Sequence, residues 1–249
     1  MKNITCCLTF VFAVVMLIFI LTENIEAKSL ELPTVDSDNF DEPLDNSYLP
    51  MVLGDTYVYL AETEDEVIIN EITNTSDTVE ILGTTCTVVY DVELVEVEIE
   101  GEKYQFKTEE TDDWYAWDND GNVWYFGEDT TEYLYDEEWN EIGTTTEGSW
   151  KAGVDGAEPG ILMLANPMPG LSYQQEYYED EAEDMGKVLK LNSNVSIEYG
   201  VYEGCLKTKE WTRLEPGHIE HKYYYPGVGL VFIEELKEKT VMVELNEIY

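Results

Sequence analysis

Short runs in which apolar and polar residues alternate begin at Tyr48 and continue to the end of the chain. Valine, isoleucine, threonine and tyrosine dominate these runs, which is typical of β-strands. In the clearest run, Cys86–Leu94, every second side chain is apolar. From Val95 the apolar positions move to the opposite face, which predicts a bulge or sharp bend near Leu94–Val95. We therefore predict a mainly β fold of curved antiparallel sheets, with at most one or two short helices.

An aromatic hairpin is predicted in the middle of the chain. Asp120-Gly121 separates two aromatic runs, and a two-residue type I′ turn needs positive φ at both central residues. With these residues at its centre, Asn119 pairs with Asn122 and Trp117 lies opposite Trp124. Such aromatic cross-strand pairs stabilise a hairpin.

Two further elements are predicted in the C-terminal part. Apolar residues three and four apart predict a short helix at Glu181–Leu191, although Gly186 weakens it. The last two alternating runs, Gly229–Leu236 and Val241–Ile248, predict a closing hairpin.

The pattern also divides the predicted domain, residues 48–249, into two parts. A connector rich in glycine and proline separates residues 48–142 from residues 170–249. Each part has a glycine before its first strand, a cysteine shortly after a glycine, and an aromatic run followed by a glycine turn. Two explanations stay open: a duplication of one antiparallel unit, or a chance likeness between two β-rich halves.

The N-terminus predicts export. Lys2 precedes an uncharged apolar run, Ile4–Leu21, and a polar stretch that ends at Ala27. Residues 1–27 are therefore either a cleaved signal peptide or an uncleaved membrane anchor, because about 18 apolar residues can just span a bilayer. Both alternatives predict an extracytoplasmic protein that is secreted or tethered to the outer face of the membrane. The acidic segment 28–47 is predicted to be a flexible spacer.

The net charge of the chain excludes some classes of binding partner. The chain has 13 Lys and Arg against 54 Asp and Glu, for a net charge of −41. This charge repels phosphate backbones and anionic headgroups, so we expect no nucleic acid and no binding to anionic membrane surfaces. The remaining partners are a small molecule, a cation or a basic protein; the alternative is that acidity serves solubility or salt tolerance. The 44% of hydrophobic residues suffices for a core.

One stretch has the composition of a calcium loop. Asp118, Asp120, Asn122 and Glu128 offer oxygen ligands in a spacing that partly resembles an EF-hand. Val123 occupies the position of the sharp-turn glycine, and no flanking helices are predicted. The alternatives are a calcium site, the one cofactor considered, and a hairpin turn without metal.

Three tryptophans, Trp114, Trp117 and Trp124, are candidates for a ligand platform that stacks on a sugar or another apolar molecule. The alternative is that they belong to the core.

Cys86 and Cys205 form an even pair once the export segment is set aside. In an oxidising compartment such a pair predicts a disulfide, whereas sequence alone does not fix the distance between the two residues.

Catalytic motifs are not found: the sequence has no Gly-x-Ser-x-Gly, no phosphate-binding glycine loop and no His-Glu-x-x-His. Its two histidines, His218 and His221, lie in a predicted strand and would point to opposite sides, which does not suit a shared zinc ion.

Four motifs carry a resemblance. The segments DWYAWDNDGNVWYFGED (113–129), GSWKAGVDGA (148–157), CLKTKEW (205–211) and YYYPGVGLV (223–231) resemble a family of exported prokaryotic proteins of unknown function. The resemblance covers residues 48–249 and implies an extracytoplasmic β-rich domain. It implies no activity, ligand or catalytic residue.

These observations predict a non-enzymatic extracytoplasmic binding or interaction module. Two alternatives stay open. One is a calcium-binding β-domain, and the other is a hydrolase that uses acidic residues on an aromatic-lined sheet face.

Overall fold

The computed structural model describes residues 35–63, 66–236 and 240–249. The predicted export segment lies outside these residues. Apart from one 3-10 helix, Ser37–Phe40, the regular elements within the described ranges are strands. In chain order they are β1 (Thr56–Glu62), β2 (Glu66–Ile81), β3 (Thr84–Ile99), β4 (Glu102–Trp117), β5 (Val123–Tyr135), β6 (Glu141–Thr145), β7 (Trp150–Lys151), β8 (Glu158–Met163), β9 (Ser172–Gln174), β10 (Glu176–Tyr177), β11 (Asp184–Ser196), β12 (Val201–Thr212), β13 (Ile219–Tyr225), β14 (Gly229–Leu236) and β15 (Thr240–Ile248). No helix among the described residues is both long and apolar enough to span a membrane.

The strands form one antiparallel sheet in the order β10-β8-β5-β4-β3-β2-β1-β15-β14-β13-β12-β11-β9, with β6 and β7 also paired to β5. The predicted mainly β, antiparallel fold is confirmed. The path consists of two consecutive meanders that meet where β1 pairs with β15. This order is compatible with a duplication of residues 48–142 and 170–249, which stays a prediction. The C-terminal hairpin of β14 and β15 is confirmed as well.

The sheet is curled, so that its two ends pack against each other. The larger core cluster joins Trp124 and Met163, from β5 and β8, to Val188, Leu206 and Tyr224, from β11 to β13. Seven strands separate β5 from β12 along the path, so contact between them requires strong curvature. Burial of each such side chain stabilises the fold by about 1.5–3 kcal/mol.

A second core cluster lies around the middle of the path. It joins Tyr59 of β1 to Cys205, Tyr223, Val231 and Leu245, from β12 to β15. On β12 and β13 the two clusters divide adjacent residues, Cys205 from Leu206 and Tyr223 from Tyr224, so there they lie on opposite faces of the sheet.

A register shift lies within one residue of the bulge predicted near Leu94–Val95, but the extra residue is on β4, and β3 itself continues without interruption. Glu93 pairs with Glu109, whereas Leu94 pairs with Lys107, so Thr108 is an extra residue on β4. Its hydroxyl donates to the carboxylate of Glu93 at 2.7 Å. A bulge increases local twist, which contributes to the curl of the sheet.

The predicted helix at Glu181–Leu191 is wrong, because most of this segment belongs to β11. Gly186 and Val188 are buried in the alternating pattern of a strand. A Cβ atom on Gly186 would lie 2.5 Å from the ring of Tyr173 on β9. The glycine that weakened the helix thus allows two strands to approach closely.

The acidic segment before β1, predicted to be a flexible spacer, is packed on the sheet in its described part. The ring of Phe40 meets the rings of Trp124 and Phe126 edge-on, at centroid distances of 5.9 and 5.7 Å. Asn46 is 3% exposed, and its amide donates to the carbonyl oxygen of Gly121 at 2.7 Å. For these residues the prediction of a flexible spacer is wrong.

The aromatic hairpin exists, but its turn differs from the predicted one. The loop between β4 and β5 has positive φ at Gly121 (88°) and not at Asp120. The turn is therefore not type I′, and the loop is longer than two residues. As a result Trp117 pairs with Val123, and the predicted pairing of Trp117 with Trp124 is wrong by one residue.

Candidate functional site

A cavity of about 290 Å³ lies on the concave face, between the two meanders. The loop that contains Leu49 and Pro50 contributes to its wall. Its apolar and aromatic lining comes from eight strands or their flanks and includes Tyr57, Tyr59, Ile72, Val89, Tyr115, Trp117, Leu162, Tyr224, Leu230, Ile233 and Val243. We call it the central cavity. Its volume is at the lower end of the range of ligand pockets, about 300–1,000 Å³.

Asp91 is the carboxyl group in the wall of the central cavity. It is on β3, and the side-chain amide of Asn70 on β2 donates to it at 2.5 Å. Burial raises the pKa of Asp91 to about 7, an effect that the hydrogen bond from Asn70 opposes. Near neutral pH this carboxyl can therefore either donate or accept a hydrogen bond.

Lys222 is the cationic group in the same wall. Its ammonium lies 3.0 Å from the carboxylate of Glu210 and 3.2 Å from that of Glu220. Burial lowers the pKa of Lys222, but the two carboxylates, Glu210 foremost, raise it well above the ordinary value. Tyr224 also donates to Glu210 at 3.1 Å. Lys222 is thus charged, and protein groups hold it in place.

Further buried carboxyl groups extend from Asp91 across β4 and β5. Asp113 is 7% exposed, accepts a hydrogen bond from Tyr125 at 2.6 Å, and pairs across the strands with Glu128. Burial, and then the nearby Asp91, raise the pKa of Asp113, while burial raises the pKa of Glu128 to about 7. Carboxyl groups therefore adjoin an aromatic-lined cavity, although only Asp91 among these three lines it.

Two residues of the predicted calcium loop, Asp118 and Asn122, have side chains that bond to each other, whereas Asp120 is exposed. Asp118 is 1% exposed, and its carboxylate accepts hydrogen bonds from the backbone of Asp120, the backbone and side chain of Asn122, and the indole of Trp124. The backbone amide of Asp118 donates to the carbonyl of Asn122, so Asn122 pairs with Asp118 and the predicted pairing with Asn119 is wrong. This geometry favours the hairpin without metal.

Glu128, the fourth predicted calcium ligand, lies away from this turn. It is on β5 in the carboxyl row beside Asp113, and it accepts a hydrogen bond from Thr130. The described residues contain one group of three or more acidic, histidine or cysteine side chains whose ligand atoms converge within 4.8 Å, and neither Asp118 nor Glu128 belongs to it.

The three tryptophans of the predicted platform do not share a surface. Trp124, 3% exposed, and Trp117, 9% exposed, both belong to the larger core cluster, and Trp117 also borders the central cavity. Trp114 is partly exposed and lies in a separate outer cleft of about 350 Å³, beside Glu128 and Lys151. The ammonium of Lys151 lies 5.1 Å from the centroid of a Trp114 ring.

Cys86 and Cys205 are both free, buried thiols. Cys86 belongs to the larger core cluster and Cys205 to the second one, so they pack in different parts of the core. The predicted Cys86–Cys205 disulfide is therefore not formed in the structure. Burial raises the pKa of Cys86 to about 12 and that of Cys205 to about 11, which keeps both as thiols at neutral pH.

The sequence pattern did not mark Asn70, Asp91 and Lys222 as site residues. Each is one polar residue within an alternating strand, and in that context a polar residue normally faces solvent. The curl of the sheet turns these positions inward. The one sequence signal that points to this curl is the change of phase after Leu94.

Two solved structures are similar to this chain, each over 82% of this chain and 99% of the other, with a TM-score of 0.36. One, 12% identical, is described as a candidate exported protein with a YMCC-like fold from Bacteroides fragilis. The other, 11% identical, is described as a candidate lipoprotein from Parabacteroides distasonis. No protein-family model and no curated protein matches the chain. At this TM-score neither likeness bears on function, and the family resemblance of the four motifs stays a prediction.

Proposed function

We propose that this chain is a non-enzymatic extracytoplasmic protein that binds a small, mainly apolar molecule in the central cavity. The observation that carries the proposal is the cavity itself, which is mainly apolar and aromatic, with few polar groups. Pockets of this composition are typical of small-molecule binding sites. The extracytoplasmic location rests on the predicted export segment, residues 1–27.

The polar groups of the wall limit the class of ligand. Asp91 can hydrogen-bond a donor or an acceptor, whereas the charge of Lys222 is already balanced by Glu210 and Glu220. A strongly anionic molecule would face the nearby carboxyl groups without a free cationic partner in the wall. We therefore propose an uncharged or weakly basic ligand with one hydrogen-bonding group beside Asp91.

A titration with N-phenyl-1-naphthylamine, an uncharged aromatic amine whose fluorescence rises in apolar surroundings, tests this proposal. The Ile72→Trp variant fills the central cavity from β2, and we expect it to weaken dye binding at least tenfold. Thr78→Trp, which places the same ring at an exposed position of β2, is the matched control and should bind like the unmodified protein. Equal dye binding by both variants would contradict the proposal, as would no binding by the unmodified protein.

The outer cleft supports a second candidate function, glycoside hydrolysis. A partly exposed aromatic side chain, Trp114, lies there beside Glu128, whose pKa of about 7 suits a general acid. A panel of chromogenic aryl glycosides tests it: hydrolysis that Glu128→Gln abolishes would support this function. No turnover on any member of the panel would count against it.

A further inference from the structure

Three side chains of metal-binding type converge at one end of β13. His218 immediately precedes this strand, Glu220 lies on it, and Glu235 lies on β14. One ligand atom from each lies within 4.8 Å of the other two, which holds for no other such group in the part of the chain that the structure describes. This cluster is distinct from the predicted calcium loop and does not line the central cavity.

Two carboxylates of the cluster face each other across a strand pair. Glu220 and Glu235 are direct partners in the antiparallel pairing of β13 and β14. Like charges in this relation destabilise a sheet. Lys222 lies 3.2 Å from Oε2 of Glu220 and also neutralises Glu210, so it offsets only part of the negative charge. A bound divalent cation would offset the rest.

The imidazole of His218 is oriented for a ligand. Its Nδ1 lies 3.2 Å from the carboxylate of Glu215, while its Nε2 lies 3.7 Å from Oε1 of Glu220. That Nε2 atom is buried and has no hydrogen-bond partner among the described residues. Metal-binding histidines commonly donate one ring N–H to a carboxylate and present the other nitrogen to the ion. The distance of 3.2 Å places the Glu215 carboxylate within reach of such a bond from Nδ1 of His218.

We propose that His218, Glu220 and Glu235 bind one zinc ion, with Glu215 as a positioning residue behind the imidazole. One nitrogen and two carboxylate oxygens form a ligand set that suits zinc, whereas calcium takes oxygen ligands only. Three protein ligands leave the fourth tetrahedral position to water. The two buried thiols, Cys86 and Cys205, do not compete for the ion.

Calorimetric titration of the whole protein with zinc chloride tests this proposal. Excess calcium and 0.15 M sodium chloride should be present, because they suppress weak binding to the many surface carboxylates. We expect one zinc ion per chain and binding at least tenfold weaker in His218→Ala. His221→Ala is the matched control, since His221 faces Glu234 at 3.5 Å and should bind zinc like the unmodified protein.

Three further variants distinguish ligands from neighbours. Glu235→Gln should weaken zinc binding at least tenfold, whereas Glu234→Gln, one position away, should change it less than threefold. Glu215→Gln should weaken it about 10–100-fold, as expected of a residue that orients a metal-binding imidazole. Cobalt, which replaces zinc, should give the visible absorption of a tetrahedral site in the unmodified protein and not in His218→Ala.

Either of two results would overturn the proposal. One is the absence of stoichiometric zinc binding when calcium is in excess. The other is equal zinc affinity in His218→Ala and His221→Ala. Circular dichroism of every variant confirms that it is folded.

Discussion

At the scale of single residues, Asp118 shows how one buried carboxylate organises a turn. It accepts hydrogen bonds from two backbone amides and from the side chains of Asn122 and Trp124. Asp118→Ala leaves these donors without a partner, so we expect it to lower the free energy of unfolding by about 2–4 kcal/mol. Asp120→Ala, at an exposed position of the same turn, should change it by less than about 0.5 kcal/mol. Urea unfolding measures both.

The effect of calcium removal on stability tests whether this turn binds calcium. If Asp118 serves only the hydrogen bonds described, a chelator should leave the melting temperature of the protein unchanged. A melting temperature that falls with the chelator in the unmodified protein, and not in Asp118→Ala, would instead support a calcium site at the turn.

The titration of two buried carboxyl groups, Asp91 and Glu128, should make the stability of the protein depend on pH. Burial raises the pKa of both Asp91 and Glu128 to about 7, whereas unfolded carboxyl groups titrate near pH 4. Between these values the folded state binds more protons than the unfolded state, so the free energy of unfolding falls as pH rises from about 4 to about 7. The double variant Asp91→Asn, Glu128→Gln should flatten this part of the pH profile.

Asp77→Asn controls for the loss of a surface charge, because Asp77 is exposed on β2. Unfolding by urea at several pH values between 4 and 8 compares the three proteins. If the double variant and Asp77→Asn keep the same pH slope, the two buried carboxyl groups are not its source.

At the scale of elements, the segment before β1 acts as part of the fold. Phe40 packs on the larger core cluster, and Asn46 is buried with its amide bonded to the hairpin loop. A chain that starts at Tyr48 loses both, so we expect a free energy of unfolding at least about 3 kcal/mol lower than that of a chain that starts at Val35. Equal stability of the two chains in urea would show that the segment is dispensable.

Some of the strands and turns could be predicted from the sequence, and others could not. Alternation located the β3 strand and, within one residue, the register shift between β3 and β4, because both depend on neighbouring residues. The prediction of a helix at Glu181–Leu191 failed. The helical spacing of apolar residues there was accidental, and the close contact between Gly186 and Tyr173 favours a strand. The turn after Trp117 differed because the Asp118 side chain caps a longer loop. Contacts between distant segments decided both cases, and such contacts are not visible in a local pattern.

At the scale of the whole molecule, the central cavity also depends on contacts between distant segments, which a local sequence pattern does not show. Its walls come from both meanders, so no contiguous motif encodes it, and Asp91 and Lys222 become neighbours of one cavity only after the sheet curls. Fold class could therefore be predicted from the chain, while the site could not.

The net charge of the whole chain also affects its stability. With −41 charges the folded chain repels itself, and salt screens that repulsion. We expect the melting temperature to rise as sodium chloride increases from 0.05 to 1 M, measured by calorimetry at pH 8. A melting temperature that falls over this range would indicate that attractive ion pairs outweigh the repulsion.

We propose above all that the curled sheet encloses a binding site for a small, mainly apolar molecule. A crystal structure of the protein with N-phenyl-1-naphthylamine tests it most directly. We expect electron density for the dye between Ile72 and Ile233, with the amine of the dye beside Asp91. Density in the outer cleft next to Trp114, with none in the central cavity, would contradict it.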